Sequence, residues 1–264
     1  MAPVERLRFL HFALNVHRVG YPIPCILPGY RDSRLRTAFN ARFWNGTAYR
    51  ILEYKKKTDD RAQVLAVVSG LADEDKYPAL LEVFKHEEHA SPYMEKYMLE
   101  ALFKMGDADY GLQRMKKRFG PMVEDPHYTM LFEGWGIGVH GYGGGTVNRA
   151  WSGGGLTILS QYLCGISPLS PGFRTFEVRP LMGPVKTATA TVPSVRGDIS
   201  VSIRSEPEHF SITVTVPSLT ICRVCVPVAY SRVSCNGKKV KMTRGERYSS
   251  TLVGGGTYRF EASR

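Results

Sequence analysis

One segment of the chain concentrates residue types that could do chemistry on a sugar. Between Thr129 and Gly153 it sets a carboxylate, Glu133, among two tryptophans, Trp135 and Trp151, and many glycines. Tryptophan faces suit the apolar side of a sugar ring, and glycines let the backbone approach a ligand closely. A carboxylate in such surroundings is a candidate general base. Glycoside hydrolysis normally needs two carboxylates, so this segment supplies one part of that chemistry.

The same segment allows other interpretations. Glu133 could instead be a structural carboxylate that accepts hydrogen bonds from amides of the glycine-rich stretch. Residues 136–141 match the dinucleotide pattern G-x-G-x-x-G, which needs a preceding strand, a helix that opens on it and an acidic residue about 20 positions later. The next predicted helix begins too late, and the residues near position 160 are not acidic. We therefore do not expect dinucleotide binding.

The residues before Gly165 have the spacing and end signals of helices. Asp59 can cap a helix that Gly70 ends, and Ser91 begins another that ends before Gly106. The connections are short, which favours antiparallel helical hairpins. Further helices are predicted over residues 3–16, 31–40, 107–118 and about 148–164, and one begins near Pro78.

After Gly165 the pattern changes to short runs that are typical of β-strands. Residues 210–216 alternate strictly between apolar and polar types, as a half-buried strand does. Such runs, separated by Gly, Pro and Asn, predict an antiparallel β-sandwich. The predicted strands are 189–192, 200–203, 210–216, 221–226, 240–242 and 258–260. The expected domains are therefore a helical domain over 1–165 and a β domain over 166–264.

Composition limits the classes of partner. The chain has 35 Lys and Arg against 24 Asp and Glu, a net charge of +11. That balance could suit an anionic partner, but the basic residues are scattered along the sequence. Patterns of RNA-binding, zinc-finger and helix-turn-helix modules are not recognisable, so we do not expect nucleic-acid binding. No apolar run reaches about 18 residues, so no membrane segment is expected, and the cytoplasm is the default location.

The cysteines predict neither a disulfide framework nor a metal site. The count is five, and the spacing is irregular. Cys222 and Cys225 form a C-x-x-C in a strand-like run, where an odd offset points side chains to opposite faces. No metal or other cofactor is expected.

Several motifs, in order along the chain, resemble one known family. The segments 39–46, 58–72, 91–102, 132–135, 148–152 and 165–173 are similar to those of bacterial-type α-L-rhamnosidases, glycoside hydrolase family 78. The resemblance covers roughly Phe39 to Ile203, and its order along the chain makes it more specific than any one motif.

The resemblance implies a fold and a reaction. Such enzymes have an (α/α)6 barrel of six helical hairpins followed by a C-terminal β-sandwich. They invert the anomeric centre with one carboxylic acid and one carboxylate base. The family's base comes late in the barrel, on a motif like the one that holds Glu133. Fewer helices are predicted here than the twelve of a full barrel, so we expect a multidomain α-then-β chain with a partial barrel.

The resemblance also implies contacts to the sugar. Trp135 would be a platform for the ring, and Trp151, Trp44 and Asp60 would be further binding residues. The alternative is structural: the tryptophans could be core residues, and Asp60 could cap a helix and pair locally. The family commonly has a histidine where this chain has Arg149.

Arg149 could bond a hydroxyl, or it could pair with Glu133 and lower the pKa of that carboxyl. His140 is a candidate to replace the contact that the family's histidine makes.

Together these features predict an α-L-rhamnosidase-like hydrolase of terminal α-L-rhamnosides, present as a C-terminal portion with the base Glu133 and no evident general acid. The expected ligand is a rhamnoside, and the acid would come from a missing N-terminal barrel half or from a second copy in a homo-oligomer, or be absent. A non-catalytic sugar-binding or interaction protein on the same scaffold is one alternative. Another six-hairpin glycosidase that acts on acidic sugars is a second.

Overall fold

The order of elements follows the change of pattern in the sequence, with helices first and strands afterwards. The computed structural model describes residues 28–51, 53–54, 56–136, 146, 148 and 150–264. The predicted helix over 3–16 and two predicted site residues, His140 and Arg149, lie outside the described residues. The chain divides into two compact units, Met1–Gly154 and Gly155–Arg264. The domain boundary that the sequence predicts between residues 165 and 166 stays a prediction.

Six α-helices are described. They are α1 Pro28–Phe43, α2 Asp60–Val68, α3 Tyr77–His86, α4 Pro92–Lys104, α5 Ala108–Val123 and α6 Gly154–Ile158. A 3-10 turn, Ala150–Gly153, precedes α6 and a π-helical turn, Leu159–Leu163, follows it. Within the described ranges, no helix is both long and apolar enough to span a membrane.

Side-chain caps fix where three helices begin. Asp59 accepts a bond from the Arg61 amide at 3.0 Å, and Ser91 accepts one from the Met94 amide at 3.4 Å. Asp107 does the same for α5. The first amides of a helix have no partner within it, and such caps satisfy one of them. The predicted helix starts at these positions are confirmed.

The predicted end of α5 is wrong. The helix does not stop at Gly120 but continues to Val123 with Pro121 inside it. Proline removes one amide donor and crowds the preceding turn. Pro121 lies in the last turn of α5, and only two further residues of the helix follow it, so it disrupts no later turn.

The helical core forms around α2, which is buried on nearly every side. Its sequence, Asp-Arg-Ala-Gln-Val-Leu-Ala-Val-Val, is apolar over its second half, and it packs against α4. A helix that is apolar all round belongs in the interior. The buried cluster consists of Phe39, Tyr49, Val64, Ala66, Val67, Val68, Leu71, Ala72, Leu80, Phe84, Met98, Ala101 and Leu102.

The second unit holds two sheets. The strands are β1 Ile166–Pro168, β2 Thr175–Val178, β3 Thr187–Val192, β4 Ile199–Ser205, β5 His209–Val216, β6 Ile221–Pro227, β7 Arg232–Cys235, β8 Lys238–Lys239, β9 Thr243–Arg244, β10 Tyr248–Val253 and β11 Gly256–Ser263. The five-stranded sheet has the order β1-β2-β6-β10-β9, and the six-stranded sheet has the order β3-β4-β5-β11-β7-β8.

Five of the six predicted strands are confirmed, as parts of β3, β4, β5, β6 and β11, whereas the other six strands were not predicted. Along β5 the side chains of Phe210, Ile212, Val214 and Val216 are buried, as the alternation predicted. Residues 240–242 are not a strand, because they connect β8 in one sheet to β9 in the other. One pair, β2 with β6, is parallel, so the five-stranded sheet is mixed rather than wholly antiparallel.

Two glycines at positive φ offer a test of how tightly the second unit is packed. Gly165, at φ 78°, precedes β1, and a Cβ there would collide with the backbone of Arg179 and Pro180. Gly237, at φ 75°, sits in the two-residue turn between β7 and β8 with open space around it.

Replacing Gly165 with Ala should therefore lower the free energy of unfolding by about 2–5 kcal/mol, from left-handed strain plus overpacking. Gly237→Ala is the matched control and should cost about 1–2 kcal/mol, from the strain alone. Chemical denaturation followed by circular dichroism measures both, and equal losses would show that the backbone at Arg179 moves aside.

Candidate functional site

Glu133 is held by the residue that follows the glycine-rich stretch. Its Oε2 accepts hydrogen bonds from the amide of Thr146 at 3.2 Å and from the hydroxyl of Thr146 at 3.3 Å. In return, the Glu133 amide donates to the Thr146 carbonyl at 2.9 Å. The residue is half-buried. These bonds orient the carboxylate, which suits both a positioned base and a structural carboxylate that accepts a backbone amide.

A second hydrogen bond brings the 3-10 turn before α6 next to the segment of Glu133. The Oγ of Ser152 is buried and donates to the carbonyl of Phe132 at 2.6 Å. Ser152 directly follows Trp151, and Phe132 directly precedes Glu133. The tryptophan and the carboxylate therefore flank one short hydrogen bond, although 18 positions separate them in the sequence.

Trp151 belongs to an exposed group of rings. Its side chain is 45% exposed, that of Tyr93 is 39% exposed, and the two ring centroids are 5.5 Å apart. Tyr93 also contacts Tyr97 edge-on, with centroids at 5.7 Å. We call Tyr93, Tyr97 and Trp151 the aromatic surface. An aromatic face with hydroxyls at its edge is the kind of surface that sugars contact.

The two tyrosines were not predicted as site residues. They lie four positions apart on α4, a spacing that places them on one face of the helix. That spacing is visible in the sequence, but it equally describes a core stripe. Only the structure shows that Tyr93 remains accessible and meets Trp151, while Tyr97 is partly buried against the helical core.

Trp135 is packed into the helical unit. Its indole Nε1 donates to the carbonyl of Ala90 at 2.7 Å, and the guanidinium of Arg118 lies over its ring, 4.1 Å from the centroid. Phe119 contacts it edge-on at 5.2 Å. The guanidinium therefore covers one face of the ring, and the polar edge has a partner within the protein. In this position Trp135 anchors the segment that contains Glu133, which lies two residues earlier in the sequence.

Asp60 is enclosed in the core. It is 0% exposed, and its Oδ1 accepts the amide of His89 at 3.2 Å. Its Oδ2 faces Nη2 of Arg114 at 3.6 Å. Burial raises the pKa of the Asp60 carboxyl, and the charge of Arg114 opposes that rise. This enclosure does not agree with the predicted sugar contact, because no ligand reaches a carboxylate without exposed surface.

Arg114 links Asp60 to a second buried carboxylate, Glu95. Its Nε and Nη2 donate to the two oxygens of Glu95 at 2.6 and 3.2 Å, and its Nη1 donates to the carbonyl of Phe84 at 2.7 Å. Burial raises the pKa of Glu95, and the bonds from Arg114 oppose that rise. We call Asp60, Glu95 and Arg114 the buried ionic cluster. Its residues come from the beginnings of α2 and α4 and from the middle of α5.

Arg118 joins this cluster to Trp135. Its Nε lies 3.8 Å from Oε2 of Glu95, its Nη2 donates to the Ala90 carbonyl at 2.8 Å, and its guanidinium covers the Trp135 ring. The Ala90 carbonyl thus accepts from both Arg118 and Trp135. A continuous set of contacts runs from the core to the segment that carries Glu133.

Trp44 contacts a different part of the unit. Its ring meets Tyr49 edge-on at 5.0 Å, and Lys76 lies over it at 5.8 Å. It is partly buried against the helical core. These contacts are those of a packing residue at the end of α1.

The cysteine pair shows no feature of a metal or redox site. Cys222 and Cys225 are both buried in β6. Burial raises the pKa of Cys225 to about 12 and that of Cys222 further, so both remain thiols. Within the described part of the chain, no group of three or more His, Cys, Asp or Glu could hold a metal ion.

Comparison with known proteins identifies the relatives of this chain. Residues 165–241 match the bacterial α-L-rhamnosidase C-terminal domain family. An α-L-rhamnosidase of Formosa agariphila is 28% identical over 111 residues, which are 39% of this chain and 12% of that protein.

Solved structures share the fold over a longer stretch. An α-L-rhamnosidase from Dictyoglumus thermophilum has a TM-score of 0.70 and 22% identity, covering 88% of this chain and 28% of its own. One from Streptomyces avermitilis, in complex with L-rhamnose, has a TM-score of 0.71 and 23% identity, covering 96% and 26%.

The fold and these matches define a chain with a glycoside hydrolase-like scaffold. Within that class it is similar to a C-terminal portion of α-L-rhamnosidases, which confirms the resemblance of its motifs. The chain spans 12% of the curated relative and about a quarter of the solved relatives it matches.

The buried ionic cluster makes a prediction about stability. Arg114→Met leaves Glu95 buried without its bidentate partner, which should lower the free energy of unfolding of the helical unit by about 3–5 kcal/mol. Lys117→Met, on the same helix, removes an exposed pair with Glu88 and should cost less than about 1 kcal/mol. Urea denaturation followed by helical circular dichroism separates the two, and a loss under 1 kcal/mol for both would contradict a structural role of the cluster.

Proposed function

We propose that this chain carries the base-bearing part of an inverting α-L-rhamnosidase-type glycoside hydrolase. The observation that carries the proposal is the position of Glu133, oriented by Thr146 and held beside the exposed aromatic surface through the Ser152–Phe132 hydrogen bond. The family similarity supports the substrate class, since the relatives are α-L-rhamnosidases and one of them is complexed with L-rhamnose.

We also propose the finer architecture that the motifs implied. The helices would form part of an (α/α)6 barrel, and the two sheets would form the β-sandwich that follows it. Functional domains over 1–165 and 166–264 agree with the start of the family match at residue 165. The TM-scores near 0.7 with rhamnosidase structures support this arrangement.

In the proposed reaction Glu133 takes a proton from a water molecule, and the oxygen of that water attacks the anomeric carbon. The glycosidic bond breaks, and an acid protonates the leaving oxygen from the other face. Asp60 and Glu95 are not suitable acids, because both are 0% exposed and bound to Arg114. The acid would come from a preceding part of the barrel, from a second copy of the chain, or be absent.

The sugar would rest against the aromatic surface. Among the predicted contacts that the structure describes, Trp151 is the most accessible, and Tyr93 extends its surface. Trp135 then acts as a positioning residue that holds the segment of Glu133. His140 and Arg149 remain proposed hydroxyl ligands. The enclosure of Asp60 and the packing of Trp44 favour structural roles for those two residues.

A second candidate function is rhamnoside binding without turnover. One observation favours it: Asp60 and Glu95, the carboxylates of the buried ionic cluster, are enclosed, so neither can serve as the general acid. A third, action on acidic sugars by another glycosidase of this scaffold, is favoured by the net charge of +11.

Hydrolysis of an aryl α-L-rhamnoside tests the first candidate. An activated aryl leaving group needs little help from an acid, so a lone base can show its contribution. Glu133→Gln should lower the rate by about 10²–10⁴-fold. Glu124→Gln removes an exposed carboxylate from the same connecting segment and should leave the rate unchanged.

Three other results have clear meanings. Background rates in all variants, with L-rhamnose binding by calorimetry, would favour the binding protein. Release from aryl uronides instead of the rhamnoside would favour the acidic-sugar glycosidase. Turnover that does not depend on Glu133 would exclude it as the base.

The aromatic surface yields a separate prediction about affinity. Trp151→Ala should weaken L-rhamnose binding, or raise the KM for the aryl rhamnoside, about three- to tenfold, because it removes a ring face worth about 1 kcal/mol. Trp44→Phe changes a packed ring and should leave binding within twofold. The opposite pattern in calorimetry would place the sugar against Trp44 instead.

A further inference from the structure

Most of the net positive charge of the chain lies in its second unit, because that unit has few acidic residues. Residues 155–264 contain fourteen Lys and Arg against six Asp and Glu, which is a net +8 of the total +11. Six of these cations lie between positions 232 and 247, with Glu246 as the one acid among them. In the sequence they look scattered, since turns and short strands separate them.

The fold gathers three of these cations around one groove. Arg232 on β7, Lys239 on β8 and Arg244 on β9 line a groove of about 850 Å³. Strands β7 and β8 end the six-stranded sheet, and β9 ends the five-stranded sheet. The non-strand connection over residues 240–242 crosses between them and forms part of the wall. A groove of this volume is in the range of small-ligand sites.

One of the cations is held in place. The Nε and Nη2 of Arg232 both donate to the carbonyl of Arg264, at 3.1 and 2.7 Å. This bidentate contact fixes the guanidinium plane, so less side-chain freedom is lost when a ligand binds. Lys239 and Arg244 are exposed and can reach an anion from two other strands.

The acid at the groove does not cancel this charge. Among the described lining residues Glu261 is the acidic one, and its Oε1 accepts from Nη2 of Arg259 at 2.8 Å. The lining therefore keeps a positive balance. Oxyanions bound to Lys and Arg form charge-assisted hydrogen bonds, which are the strong kind.

Hydroxyl groups share the groove with the cations. The serines of the lining are Ser231, Ser234, Ser249 and Ser263. Each hydroxyl can donate one hydrogen bond and accept others, as sugar hydroxyls do. The lining aromatic residue, Tyr230, is only 8% exposed, and its hydroxyl donates to the carbonyl of Glu206. His209 is the other ring of the lining and is exposed, so duplex DNA is included among the test ligands.

We propose that this groove binds an acidic carbohydrate, with carboxylate or sulfate groups on the cations and sugar hydroxyls on the serines. The proposal does not rest on hydrolysis by Glu133, because every lining residue lies in the second unit. The groove would hold the chain on an anionic polysaccharide independently of any reaction elsewhere in the protein.

Binding of the full chain to polysaccharides of different charge tests the proposal. Polygalacturonate supplies carboxylates, a sulfated galactan supplies sulfates, and dextran is the neutral reference. At least one of the two acidic polymers should bind, and Lys239→Gln with Arg244→Gln should raise its dissociation constant at least about tenfold. Lys186→Gln with Arg196→Gln removes the same charge from exposed positions elsewhere in the unit and should have little effect.

The two acidic polymers identify which anionic group is bound, and the remaining outcomes decide the proposal. Equal weakening by both double variants would reduce it to diffuse net charge and overturn it. Binding of dextran as tight as that of the acidic polymers would also overturn it. Tighter binding of duplex DNA, with the same dependence on Lys239 and Arg244, would assign the groove to nucleic acid instead. Rhamnoside hydrolysis is measured separately, so failure of either proposal leaves the other testable.

Discussion

The helical unit depends on one buried interaction, the bidentate pair of Arg114 with Glu95. Neither side chain has appreciable exposure, and Asp60 shares the same guanidinium. A buried charge is costly unless a partner and hydrogen bonds compensate it. This requirement fixes the relative placement of three helix segments, since α2, α4 and α5 each contribute one member of the cluster.

The candidate site is positioned through side-chain contacts that begin at that cluster. Arg118 lies between Glu95 and the Trp135 ring, and both Arg118 and Trp135 donate to the Ala90 carbonyl. The segment with Glu133 has no regular secondary structure to hold it. Its position therefore comes from side-chain contacts: Trp135 on one side, Ser152 through the Phe132 carbonyl, and Thr146 at the carboxylate. Trp135, Ser152 and Thr146 therefore position the site, and other residues remain accessible to a ligand.

Charge is used differently in the two units. In the helical unit the charges that matter are buried and paired, and they act on packing. In the second unit they are exposed and mostly positive at the groove of Arg232, Lys239 and Arg244, where Glu261 is paired with Arg259. Exposed like charges destabilise weakly, because water screens them, so a surface can keep them for binding. The charged residues behind the net charge of +11 thus act on packing in the helical unit and stay available for binding in the second unit.

The sequence alone determined that helices precede strands, the positions of several helices and of five strands, and the resemblance to α-L-rhamnosidases. Caps such as Ser91 and the strict alternation over residues 210–216 are local signals, and local backbone physics decides them. The motif around Glu133 also lies within a few consecutive residues, so it was recognisable without a structure.

Tertiary structure alone decided which of the candidate residues share a surface. Asp60 looked like a helix-start residue that could line a site, but long-range packing against α5 encloses it with Arg114. Tyr93 meets Trp151 only because segments 58 positions apart fold together. Such contacts depend on the three-dimensional path of the chain, and no spacing along the sequence encodes them.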